Sequence, residues 1–598
     1  MLNRRDLLAT AAAFAAIPAV AAADSAGAAA DANSLYGVFA DEMMKASPEL
    51  ATSLGLDTGA KAGLRRRLGK RSLEGRSEAK ALNHAMLARL KTLDRAALKG
   101  LNAANYDAVR YGVELEEAIA ARFDYGTSSV PYTVHQLGGA YHDLPDFLDS
   151  QHPVETTSDA EDYLARLEAL AGAIDDESDA VRFDAGRQVV PPDFALAGAL
   201  TQMAALRELA PEKSVLTASL ARRTAAAHIA GDWNAKAATI VARQVYPALD
   251  RQMALLKTLQ ATATHDAGVW KLPDGEAFYA LALEDQTTTK MSPAEVHKLG
   301  LAVVTECQAL SGAIMTANGL TKGTVGMRLR AMFLDPKFRY ANTDADKDKL
   351  IADLNQRLAE VNRLLPAYFR TLPKADVTIK RIPKYTESGA PGGYYQNASL
   401  DGKRPGTYYI NLRDTAEVPS WTLPTLTYHE AVPGHHLQIS IAQETDLPLI
   451  RRIGGYNAYV EGWALYAEEL AVEMGLNADD PWGHIGQLHD AMLRGVRLVI
   501  DTGLHQMRWT REQAIRYYVD TLGAPDSGAI SEVERYCVWP GQACGYMVGK
   551  RFILAQRDKA RTKMGARFDL KTFHDAVLKQ GALPLDTLGQ VIDGLIAG

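Results

Sequence analysis

The chain has 598 residues, a formal net charge of −7 at pH 7, 47% hydrophobic residues and three cysteines. The acidic balance argues against nucleic acid and anionic membranes as partners. Three cysteines cannot staple a chain of this size, so Cys307, Cys537 and Cys544 are expected as core thiols.

Arg4-Arg5 precede an apolar run, Ala9 to Ala22, that closes in small residues with an Ala21-x-Ala23 pattern. Residues 1–23 are therefore read as a twin-arginine export signal, which sends the mature protein to the periplasm or outside the cell. The run is shorter than the ~20 residues of a permanent membrane span, no later stretch reaches that length, and no cysteine follows to carry a lipid. Removing Arg4, Arg5 and Asp6 takes away a net +1 and leaves −8. Residues 24–33 are Ala-rich and expected to form a disordered linker.

From Leu35 onward the pattern is helical almost throughout, divided here into a helical N-terminal part (34–270) and a catalytic part (271–598). Ser47-Pro48-Glu49, Ser158-x-x-Glu161, Ser292-Pro293-Ala294-Glu295, Thr343-x-x-Asp346 and Thr510-x-x-Gln513 read as helix starts, each with a capping side chain ahead of an apolar run. Breaks fall at 128–131, Pro191-Pro192, 272–275 and 390–393. One region, about 377–412, alternates like sheet: Val377, Ile379 and Ile382, then Gly393-Tyr394-Tyr395, then Thr407 to Leu412. The expected fold is mainly α, a large multi-helix protein around a deep cleft, with one small β-sheet beside the active-site helix.

Chemistry is concentrated in Tyr428-His429-Glu430-Ala431-Val432-Pro433-Gly434-His435-His436. A histidine followed directly by a glutamate is the order in which zinc peptidases set a metal ligand beside a general base. In the common pattern the two histidines are four apart on one helical face, whereas His429 and His435 are six apart, ~120° off that face. Pro433 and Gly434 answer this: proline clashes with the carbonyl four residues back and glycine accepts unusual dihedrals, so the helix should bulge here. His436, seven on from His429, is the alternative second ligand, and reads better as a support behind the ligands or as a substrate contact. Glu461, set among apolar residues and followed by Gly462, is the candidate third ligand; Glu468 and Glu469 read either as the solvated end of the same segment or as groups that support the site from behind the ligands. Two histidines and a glutamate would hold one Zn2+ and leave a position for water, with Glu430 as its base. Arg497, Asp501 and His505 recur every four residues, so they either line the cleft, with Arg497 gripping a substrate carboxylate, or form an internal polar row.

The sequence also resembles a bacterial family, domain of unknown function 885, along essentially the whole mature chain. The likeness is carried by Pro131-Tyr132-Thr133, Leu144-Pro145, the run from Leu272-Pro273 to His297, Gly392-Gly393-Tyr394-Tyr395, Pro405 to Asn411, His429 to Gln438, Val460 to Glu468 and Trp539-Pro540-Gly541-Gln542-Ala543. That family is in turn similar to helical HExxH zinc peptidases of the oligopeptidase and angiotensin-converting-enzyme type. The resemblance implies His429, His435 and Glu461 as ligands, with two residues inserted before His435, and Glu430 as base. It implies a downstream tyrosine steadying the oxyanion, Tyr546 first and Tyr536 second, with Arg535 nearby. It also implies that Pro405 to Leu412, including Tyr409, is an edge strand to which peptide adds. The function expected is zinc-dependent hydrolysis of short peptides. The alternatives are a peptide-binding protein with a degenerate site, or a metal-dependent hydrolase of a non-peptide amide or ester. A homodimer has no support in the sequence.

Overall fold

The structure is a computed structural model that describes residues 26–598 except 128, 383, 385–386 and 388–391. The export-signal reading of 1–23, and the parts of the expected breaks at Ser128 and Ala390-Pro391, lie outside those residues. The chain is mainly α, with one small sheet.

Local start signals explain many of the helices. Ser292 and Glu295, and Thr510 and Gln513, form reciprocal capping boxes, and Thr343 caps the N–H of Asp346. The box expected at Ser158–Glu161 instead forms at Thr156 and Asp159, so that helix begins at Thr157. The expected linker is also corrected: residues 26–46 are one helix, because alanine is a strong helix former and this segment buries Ala32, Tyr36, Phe39 and Ala40.

Helices Ala140–Ser150, Thr157–Ala185, Asp193–Glu208 and Tyr246–Gln260 enclose a core of their own in the N-terminal part. A second cluster crosses residue 270, joining Phe123 and Tyr125 to Phe278, Tyr279 and Val538. Two larger cores fill the C-terminal part, and the helix Asn457–Glu473 serves both. It sends Tyr459, Trp463, Tyr466 and Leu470 into one, and Ala458 and Leu465 into the other.

The helix Pro293–Ala317 is long and apolar enough to cross a membrane, which the reading of the sequence did not expect of any segment after the signal. One face of it is packed: Val296, Val303, Val304 and Met315 are buried, and Gly300 lies against the helix Pro481–His505 near the carbonyl of Gly495, while Leu301 and Leu310 are exposed.

The sheet comprises β1 (Val377–Arg381), β2 (Gly393–Gln396) and β3 (Gly406–Ile410), in the order β1-β3-β2. β3 runs parallel to β1, with Ile379 opposite Tyr408, and antiparallel to β2, with Tyr395 opposite Tyr408. It is thus the central strand and has no free edge, contrary to the expectation for Pro405 to Leu412. β2 lies against the helix carrying His429, and its far side pairs with no other strand among the described residues.

Candidate metal centre

His429 and Glu430 close the helix Leu423–Glu430, and His435 opens the helix His435–Glu444. The expected bulge is a full break. The N–H of His436 reaches back to the carbonyl of Ala431, and the backbone of Gly434 sits so near the carbonyl of His429 that a Cβ there would fall 1.9 Å from its oxygen. Only glycine permits that approach, and the sharp turn it allows returns His435 to the side occupied by His429. Their rings meet edge to face with centroids 4.8 Å apart.

Glu461 faces both. Its Oε2 lies 3.5 Å from His429 Nε2 and 3.3 Å from His435 Nε2, and it makes no hydrogen bond. Glu468 lies seven residues further along the same helix, two turns and ~10.5 Å away on the same face. The imidazole of His429 fits lengthwise between the two carboxylates, with Nδ1 2.7 Å from Glu468 Oε1. An Nδ1–H donated to Glu468 leaves the Nε2 lone pair aimed at the Glu461 side, the tautomer a metal-binding histidine needs. Glu468 is fully buried against His429, so of the two readings of this end the solvated one fails for it and the one that places it behind the histidine agrees with the structure. Burial, followed by the nearby Asp490 carboxylate, pushes it up to about 8. Asp490 pairs with Arg494, and Glu469, the other half of the expected outer end, pairs with Lys550.

Glu430 is buried beside this cluster, and burial raises its carboxyl above the usual range. For Glu461 burial also works upward, but the two imidazoles outweigh it and hold the carboxyl well below the usual range. Four largely buried carboxylates, Glu430, Glu461, Glu468 and Asp490, thus crowd two imidazoles and one guanidinium, Arg494. Burial pushes two of them, Glu430 and Glu468, toward the neutral form, which limits the charge the cluster must hold without a cation.

Tyr546 stacks beside His429, ring centroids 6.4 Å apart, with Arg494 and Arg497 over its face. It is held there by a close helix crossing. A Cβ on Gly462 would lie 2.6 Å from the backbone of Gly549, and one on Gly549 would lie 1.7 Å from the carbonyl of Ala458. The helix of Glu461 and the helix Gly545–Met564 therefore touch backbone to backbone.

Other candidates are placed differently. His436 donates from Nε2 to the carbonyl of Ala375 and accepts at Nδ1 from the hydroxyl of Tyr395, so it braces β2 against the helix instead of facing the cluster. Tyr536 is fully buried and donates to Glu532, which burial and that carboxylate answer by raising its hydroxyl well above the usual value. Arg497 donates to Glu532 and to the Tyr536 hydroxyl, and Arg535 to Glu532 and Gln542. His505 accepts from the N–H of Val269 and donates to the carbonyl of Tyr536. These four are held in internal contacts. Tyr409 stacks on Tyr394 on the outer face of the sheet. Reading the sequence missed the roles of Asp490, Arg494 and Trp463; for Glu468, its seven-residue spacing from Glu461 was the available signal.

A mainly helical protein with a buried histidine–glutamate cluster is thus defined, and its relatives share the fold. The family described as "Bacterial protein of unknown function (DUF885)" matches residues 48–592, and the chain belongs to it. The crystal structure of a "putative lipoprotein" from Colwellia psychrerythraea is similar with a TM-score of 0.91 and 32% identity, over 95% of this chain and 99% of that one. A "putative lipoprotein of unknown function" from Shewanella oneidensis is similar in fold, with a TM-score of 0.70 and 18% identity over 93% and 98%. No curated protein matches.

Proposed function

We propose that this protein is an exported zinc-dependent hydrolase of peptide bonds in short peptides. One observation carries the reading. A tetrahedral zinc with bonds of ~2.1 Å separates its ligand atoms by ~3.4 Å. The two Nε2-to-Oε2 distances are 3.5 and 3.3 Å, and all three candidate ligand atoms lie within 4.8 Å of one another. The unpartnered Glu461 oxygen, facing both imidazoles, suits a divalent cation equally well.

His429, His435 and Glu461 would hold the ion, and zinc bound there would supply a Lewis acid for the scissile carbonyl and its attacking water. Glu430, raised by burial, takes the water's proton and delivers it to the leaving amine. The Tyr546 hydroxyl donates to the oxygen of the tetrahedral intermediate. Glu468 holds His429 in the required tautomer. A peptide in extended form would pair with the free edge of β2, the strand against the His429 helix. Export is supported by the description of both structural relatives as lipoproteins.

The test is elemental analysis of the purified protein beside Glu461→Ala, with turnover of a mixed peptide library. About one zinc per chain in the wild type, lost in the variant, together with peptide cleavage, is the expected result. A wild-type protein that takes up no zinc would overturn the reading and leave peptide binding without catalysis. Zinc uptake with cleavage of esters or non-peptide amides alone would overturn its substrate class.

A further inference from the structure

We infer that Trp463 is the positioning residue that makes the inserted His429-to-His435 spacing work as a metal site; this rests on the zinc reading above. The two extra residues put four residues, 431–434, between the helix ending at Glu430 and the one beginning at His435. Such a turn is a weak support for a ligand, since its backbone groups lack the ladder a continuous helix provides. Proline at 433 contributes no N–H, and its carbonyl needs a donor from outside the turn.

Trp463 is that donor: its indole N–H lies 2.9 Å from the carbonyl oxygen of Pro433. The ring is fully buried and packed against Tyr466, Phe369 and His574, so it cannot swing away with the turn. Trp463 stands two residues after Glu461, and residues two apart on a helix point ~200° from each other. The helix therefore grips the inserted segment from two sides, the Glu461 carboxylate at the His435 ring and the Trp463 indole at the backbone two residues earlier. His435 needs this more than His429 does. His429 is oriented through Nδ1 by Glu468, whereas His435 Nδ1 is buried without a hydrogen-bond partner. With no second partner on its ring, the backbone must set where His435 Nε2 points. Groups that orient a metal ligand from behind typically change metal affinity by roughly 10–100-fold when removed.

The experiment compares the full-length wild type with Trp463→Phe and with Tyr459→Phe. Tyr459 is a buried aromatic on the same helix whose hydroxyl donates to the carbonyl of Val577, 2.8 Å away and far from the turn. Zinc Kd is measured by competition with a chromophoric chelator, Tm on the metal-free proteins, and the visible spectrum after cobalt substitution. Trp463→Phe should weaken zinc binding at least tenfold and shift the cobalt bands. Tyr459→Phe should lower Tm without either change. A Trp463→Phe protein with Kd within threefold of wild type and an unshifted cobalt spectrum overturns the positioning role while leaving the zinc reading intact. A wild type that binds no zinc removes both. Should Trp463→Phe fail to fold, benzothienylalanine placed at 463 exchanges the N–H for sulfur at nearly the same size. The same tenfold weakening is expected of it, and unchanged affinity would count against the proposal.

Discussion

Two clusters of buried polar side chains lie close together in the C-terminal part, and both stood out in the sequence. Around Asp501 and His505 the hydrogen bonds are complete: Asp501 accepts from the Tyr279 hydroxyl and from the N–H of Gly541 at both oxygens, and both nitrogens of His505 are engaged. Around Glu461 they are not: an oxygen of Glu461 and a nitrogen of His435 are buried with no partner, and the Nε2 atoms of two histidines face one carboxylate. A closed network holds a fold in one arrangement. An open one of matching donor geometry keeps room for a ligand, and this difference, more than burial or charge, separates the candidate centre from the Asp501–His505 pair, although Arg497, one turn before that pair, keeps one buried nitrogen without a partner.

The sharpest way to break that comparison is Glu430→Gln, which keeps size and hydrogen bonding but removes the base. The expected result is a fall in kcat by roughly 10²–10⁴-fold with the zinc content unchanged. A variant cleaving peptides at the wild-type rate would show that the open cluster does not use Glu430. In the closed cluster, Asp501→Ala should act oppositely. It strands the Tyr279 hydroxyl and the Gly541 N–H in the core, at a cost of about 3 kcal/mol in urea unfolding. Zinc content and turnover per folded molecule should not move; lost zinc affinity in the folded variant would mean that the row belongs to the site.

The residue types of the candidate centre were legible because they are rare at such spacing: a His-Glu pair, a Pro-Gly break and a downstream glutamate among apolar residues. The three strands were legible from alternation and aromatic content, but their order was not. Putting β3 in the middle depends on pairing with β1 across a long intervening segment, which no local pattern encodes. The four-residue spacing of Arg497, Asp501 and His505 gave a shared face correctly but could not say what packs on it. The answer, Glu532, Tyr536 and Gly541, comes from positions 35, 31 and 40 residues away from their partners. Glu468 was open between a solvated place and one behind the site, because a charged side chain is exposed by default, and the fold decides it by bringing His429 against it. The Ala-rich start looked disordered for want of large apolar residues, yet the helix it forms is anchored by Tyr36 and Phe39 just beyond.

A third histidine–carboxylate contact, at the surface, sets the lower bound for such pairs. His265 lies 2.8 Å from Asp193 and 3.1 Å from Glu512, tying the N-terminal part to the C-terminal part with its side chain half exposed. The hydrogen bond to Glu512, then that to Asp193, raises its imidazole above the ordinary 6.5 despite some burial. Because the folded value exceeds the unfolded one, the stabilisation is fully present below about pH 6.5 and disappears as pH rises through the folded value. Water and salt screen an exposed pair, so its worth is at most ~0.5 kcal/mol. His265→Gln should therefore lower Tm slightly at pH 5.5, by less at pH 8.5, and by less at pH 5.5 once salt is raised. Equal losses at both pH values would show that the ring acts by packing on Phe194, 5.2 Å away, and that its charge contributes nothing. If the pH dependence holds, the same pair chemistry would tie two parts of the protein together weakly at the surface and orient a metal ligand in the interior, with burial deciding which.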